Sequence, residues 1–146
     1  MAFDYATQPA LAALGHSTLQ FLHQNIATSA ASTAMKIADI ATATHFCVPY
    51  DGRIVAVTGC ASANITASTI RVIPSINGAT VTAMAATNTA TTVRIVRKTT
   101  VIPSPYETIT YGFSAGDRIG CKLSTTATYA PNTLDWVALV YVSYTP

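Results

Sequence analysis

The stretch WVALVYVSY, residues 136–144, constrains the fold more than any other part of the chain. Alternation places Trp136, Ala138, Val140, Val142 and Tyr144 on one side and Val137, Leu139, Tyr141 and Ser143 on the other. Successive side chains of a strand point to opposite faces, so a run that is apolar on both faces predicts a strand inside a sheet. Other segments repeat the signal more weakly. GRIVAVTGCA sets Ile54, Ala56 and Thr58 against Val55, Val57 and Gly59, after a turn at Pro49-Tyr50-Asp51-Gly52 where glycine would take a positive φ. STIRVIPSI places Ile70, Val72 and Pro74 opposite Arg71 and Ile73. Asn77-Gly78 is a hairpin signal, since both residues tolerate positive φ, and it predicts ATVTAM as the return strand. TTVRIVRKTTVI alternates Val93, Ile95 and Arg97 with Arg94, Val96 and Lys98, and Pro103 and Pro105 end it. Seven or eight short strands with turn signals between them predict an all-β, jelly-roll-like β-sandwich over residues 45–146.

Residues 1–44 read differently. They show no strand-like alternation, and Pro9 and Gly15 interrupt their first part. Leu19, Leu22 and Ile26 fall at helical spacing behind Ser17, which suits an N-cap, so a helix over roughly 17–27 is expected. The segment is read as an N-terminal arm, extended or partly helical, that docks on a neighbouring molecule.

Composition narrows the function. Only 14 of 146 residues are charged, 10 % against roughly 25 % in an average soluble protein, while 25 Ala and 24 Thr make up a third of the chain. A surface this poor in ions predicts hydroxyl and amide solvation together with burial against other copies. The net charge is +2, and the densest basic cluster, Arg94, Arg97 and Lys98, reads as a solvated strand face rather than the stripe that binds nucleic acid. No run of about 18 apolar residues is present, so no membrane partner is expected. The opening MAFDYATQPALAALGHS carries Asp4 and no basic residue before its apolar part, unlike a secretory signal, which predicts synthesis in the cytoplasm. Cys47, Cys60 and Cys121 are odd in number and lack CxxC spacing, so they are read as buried free thiols rather than disulfides or zinc ligands.

Catalytic sets are missing. His16, His23 and His45 lie in or beside the arm and read as local hydrogen-bonding residues, and no Gly-x-Ser-x-Gly elbow occurs. Asp51, Glu107, Asp117 and Asp135 do not pair as a glycosidase would need, and they do not cluster as calcium ligands. Turn stabilisation is the expected role of Asp51 and Asp117. In SAGDRIG, Gly116 would supply a positive φ while Asp117 accepts backbone N–H bonds. The other reading of Asp117 and Arg118 is an ion pair across a subunit boundary. No enzymatic activity, cofactor or metal is expected.

The stretch TYGFSAGDRIGCKLSTT, the Pro-containing loop YAPNTLDW and the closing WVALVYVSY together resemble the last strands of trimeric jelly-roll head domains of the tumour-necrosis-factor and C1q type. Similar endings occur in tailed-phage capsid decoration (cement) proteins and fibre heads. The likeness covers about 40 C-terminal residues and carries over no ligand motif. It implies a homotrimer on the capsid surface of a virion, bound to a major capsid protein and stabilising the shell. The alternative it implies is a trimeric fibre or spike head that binds a host-surface receptor. On that reading the contacts fall to Phe3, Tyr5, Leu11, Leu14, Leu19, Phe21, Leu22 and Ile26 of the arm, and to Asp117, Arg118, Trp136, Tyr141 and Tyr144 of the β domain.

Overall fold

A computed structural model describes residues 15–27, 29–37, 42–88, 95–99, 111–131 and 134–145. In chain order the strands are β1 (His16–His23), β2 (Thr33–Ala34), β3 (His45–Cys47), β4 (Gly52–Ala61), β5 (Ile70–Ile76), β6 (Ala79–Thr80), β7 (Ala86–Asn88), β8 (Ile95–Thr99), β9 (Gly112–Phe113), β10 (Arg118–Thr125) and β11 (Trp136–Tyr144). A front sheet runs β1-β11-β4-β8, with β9 also on β4. A back sheet runs β2-β10-β5-β6, with β3 on β10 and β7 on β5. Every pairing is antiparallel, and the chain crosses repeatedly between the sheets. The protein is an all-β, jelly-roll-like sandwich.

The closing strand sits where its sequence requires, inside the front sheet between β1 and β4. Trp136, Ala138, Val140 and Val142 point into the core. Opposite them on β4 the buried residues are Ile54, Val57, Gly59 and Ala61, with Val142 facing Ile54 and Val140 facing Val57. Two residues on β11 therefore span three on β4. This β-bulge at Val55 flips the alternation beyond it, so the regular Ile54/Ala56/Thr58 face read from sequence ends after Ile54. Across the sandwich, Ile119, Cys121 and Leu123 of β10 and Ile70 and Val72 of β5 close the core.

The helix expected over 17–27 is strand β1. All eight of its residues pair with β11, and Leu19 and Phe21 are buried while Thr18 and Gln20 are exposed. The two-residue spacing of Leu19 and Phe21 prevails over the helical spacing of Leu19, Leu22 and Ile26, because β11 needs a neighbour on its free edge. Residues 16–27 and 29–37, read as part of an arm, are built into the sandwich. Ile26 and Met35 lie in the core, and β2 pairs with β10. Residues 1–14 lie outside the described residues, and with them Phe3, Tyr5, Leu11 and Leu14.

The hairpin at Asn77-Gly78 forms with φ of 52° and 87°, the two positive values that a type I′ turn requires. Its return strand β6 is only two residues long, and a 3-10 turn at Thr82–Met84 then buries Met84. Gly52 departs from expectation. It opens β4, and its need is for space, since a Cβ there would meet the Phe113 ring at 2.8 Å and the Ser143 carbonyl.

Candidate functional site

With both inner faces committed to the core, the chemistry open to partners lies on the outer faces and at the sandwich ends. The front outer face is built from alternate residues of three adjacent strands. Register places Leu22, Val137 and Cys60 in one row, Gln20, Leu139 and Thr58 in the next, and Thr18, Tyr141 and Ala56 in a third. None of these nine residues is an Asp, Glu, Lys, Arg or His; the next row, His16, Ser143 and Arg53, brings in the first. Val137 is among the most exposed large apolar side chains described, at 37 %.

The back outer face has opposite chemistry. Arg118, Gly120, Lys122 and Ser124 of β10 lie beside Arg71, Ile73 and Ser75 of β5, with His45 and Cys47 of β3 on the other side. His45, Gly120 and Ser75 share one row. A Cβ on Gly120 would come within 2.8 Å of both the His45 ring and Ser75 Oγ, so glycine is what lets the imidazole lie flat over the strand. Ser75 is 1 % exposed, and its hydroxyl has no hydrogen-bond partner. The His45 Nδ1 and the Thr44 hydroxyl are hydrogen-bonded at 2.8 Å. Burial, then the neighbouring charges of Arg118 and Lys122, hold the His45 pKa below its ordinary value.

Each described carboxylate serves a loop. Asp117 accepts from the Ser114 N–H and the Asn77 amide, both at 2.7 Å, which lowers its pKa, and Gly116 has a φ of 88°. Asp51 accepts from the Ala115 N–H at 2.7 Å, and Asp135 from the Asn25 N–H at 3.0 Å. The turn-stabilising reading of Asp117 matches these bonds. Glu107 lies outside the described residues.

Several residues expected at an interface belong to the chain's own interior. Leu19, Phe21, Ile26 and Trp136 are core residues. Trp136 Nε1–H donates to the buried Tyr129 hydroxyl at 3.1 Å, and burial raises the Tyr129 pKa. Tyr144 packs edge-on against Tyr50 and Phe113, with ring centroids 6.0 and 6.1 Å apart. Leu22 and Tyr141 do reach the front outer face, and Arg118 reaches the back one. Sequence reasoning missed Val137, Leu139 and Cys60 as surface groups; for Val137 and Leu139 their shared parity with Tyr141 was the signal, whereas only register places Cys60 beside Val137. Of the three thiols read as free and buried, Cys121 is buried as expected, while Cys47 and Cys60 are free but exposed. Arg97 and Lys98 lie on β8, whose side chains, like Arg94, fall outside the described residues.

Among the described residues no group of three His, Cys, Asp or Glu side chains is placed to hold a metal, and no helix is long and apolar enough to cross a membrane. No family model and no curated protein matches the sequence. Among solved structures the chain is similar to the Eiger TNF of S. frugiperda, with TM-score 0.41 and 11 % identity over 90 % of this chain and 96 % of that one. It is also similar to a chain of the cyanophage Pam1 capsid asymmetric unit, with TM-score 0.44 and 10 % identity over 90 % and 84 %. A third similar structure is the carbohydrate-binding module CBM36 in complex with calcium and xylotriose, with TM-score 0.34 and 16 % identity over 88 % and 99 %.

Proposed function

We propose that this protein is a structural component of a virus particle, a homotrimer that decorates the capsid surface and stabilises the shell through contacts with the major capsid protein. The observation that carries the reading is the centre of the front outer face, three rows of apolar, hydroxyl and amide side chains, with basic residues only at its margins, His16 and Arg53 in the row beyond and Arg97 in register on β8. A sheet face in lasting contact with water ordinarily carries charged residues, so this one fits burial against further copies. Stable interfaces hide about 1,200–2,000 Å² in total, a size that a sheet face of three strands can supply. A trimer that binds the assembled lattice and not its free subunits stabilises the lattice by mass action.

The test has two parts. Light scattering on the purified protein should give three times the chain mass. Shells carrying the protein should disrupt at a higher temperature than bare shells. A monomer in solution, or unchanged shell melting, would overturn the reading. A second reading, a trimeric fibre or spike head that binds a host-surface receptor, draws on Tyr50, 44 % exposed at one end of the sandwich beside Tyr144. Binding to host cells, with loss on Tyr50→Ala, would favour it over the shell.

A further inference from the structure

We infer that the back outer face, where Arg71, Arg118 and Lys122 surround the His45 ring, is a docking surface for clustered carboxylate side chains of a partner protein. Two observations carry this. The first is a charge imbalance. Asp51, Asp117 and Asp135 are all engaged by backbone or amide N–H groups, and Arg71, Arg118 and Lys122 stand on one face without an ion pair among the described residues. Arg118 and Arg71 are exposed, and Lys122 uses one of its three donors on the Gly78 carbonyl at 2.6 Å.

The second is the composition of the face itself. The half-buried His45 ring lies over the buried Gly120, Arg118 and Lys122 flank it along β10, and none of the residues in register around it is a carboxylate. Every group there is or can become a donor, so the complementary ligand is an acceptor that carries negative charge. A protein surface suits the flat, spread arrangement, since three cations over two strands match scattered Asp and Glu side chains better than the continuous phosphates of a nucleic acid.

The site does not depend on the proposed function, which only suggests that the acidic partner is a shell protein. The experiment therefore uses no shell. Labelled hexaglutamate is titrated into the full chain at low salt and read by fluorescence anisotropy and by the His45 ring signals in NMR, with a hexanucleotide of single-stranded DNA and hexalysine in parallel. Saturable hexaglutamate binding is expected, weakened at least tenfold in Arg118→Gln/Lys122→Gln and severalfold in Arg71→Gln, and little changed in the front-face variant Thr58→Ser. Absent or non-saturable binding, or binding undiminished in those variants, would overturn the inference. Tighter binding of the oligonucleotide would overturn it in favour of a nucleic-acid surface. Hexaglutamate binding together with a failure to stabilise shells would instead overturn the proposed function and leave this site standing.

Discussion

The two outer faces of the sandwich are made by the same kind of strand, yet they carry opposite chemistry. On the front sheet, alternate positions of β1, β11 and β4 hold Leu22, Val137, Leu139, Tyr141 and Cys60. On the back sheet, the equivalent positions of β5 and β10 hold Arg71, Arg118 and Lys122 around His45 and Ser75. A chain with 14 charged residues has few to distribute, and Arg71, Arg118 and Lys122 stand together on the back face, whereas on the front one Arg53 lies at the margin. The difference suggests two kinds of contact. Apolar surface is non-directional and suits permanent association of identical copies, whereas separated cations steer and orient an acidic partner.

The largest expected effect comes from inverting this asymmetry. Leu139→Glu places a carboxylate at the centre of the front face, where a trimer would leave it buried and unpaired in each copy. Its trimer dissociation constant, read by sedimentation equilibrium, should rise roughly thousandfold, the equivalent of about 4 kcal/mol. Ser124→Glu on the back face should leave association unchanged. Equal effects from both variants would show that the faces are not functionally distinct.

The exposed thiols provide a gentler probe, one on each face. Cys60 lies in the front row with Leu22 and Val137, and Cys47 pairs with Arg118 on the back sheet. In the assembled protein Cys47 should alkylate roughly tenfold or more faster than Cys60, and in Leu139→Glu the two rates should converge. Cys121 should stay unreactive until the chain unfolds, because complete burial pushes its thiol pKa far up and leaves no thiolate. Mass spectrometry of time-quenched samples separates the three. Equal rates at Cys47 and Cys60 in the native protein would place the front face in solvent.

Much of this architecture is legible in the chain, where patterns are local. WVALVYVSY announces an interior strand, and Asn77-Gly78 announces a hairpin, because each depends on residues a few positions apart. What defeats the reading is non-local. β1 is a strand because β11, more than a hundred positions away, requires a partner, and nothing in HSTLQFLH itself rules out a helix. The bulge at Val55 shifts the face of half of β4, and no residue type marks it. Trp136 reads equally well as core or interface until Tyr129 is seen to accept its N–H. The His45–Gly120–Ser75 row was beyond reach for the same reason, since its members come from three strands and only register brings them together.

That row can be tested through its glycine. Gly120→Ala would push a methyl group into the His45 ring and Ser75 Oγ, both at 2.8 Å. Overpacking of this kind costs about 1–3 kcal/mol, read as a lower urea midpoint at unchanged slope. Adding His45→Ala should recover part of the loss by removing the ring, a non-additivity that a double-mutant cycle measures. The same pair of changes should leave trimer mass untouched, since neither residue lies on the front face. No recovery would mean that the ring and the strand do not press on each other.

The smallest effect is a pH dependence, and it sharpens the comparison because it is assigned to one histidine of the back row. The His45 pKa lies below 6.5 in the folded chain, through burial and then through Arg118 and Lys122, so the unfolded chain takes up the proton first. Above pH 6.5 the ring is neutral in both states and contributes no slope; as pH falls through 6.5 toward the folded value, stability declines. Asp117, also lowered, acts in the same direction, from its ordinary 3.8 downward. Urea midpoints between pH 7.5 and 5 should therefore fall in the native protein and fall less in His45→Gln. Saturating hexaglutamate should weaken this decline, because carboxylates over the row favour the charged imidazole and offset Arg118 and Lys122. A slope that His45→Gln leaves intact would assign the acid response elsewhere, and a slope that hexaglutamate leaves intact would remove the carboxylates from the row.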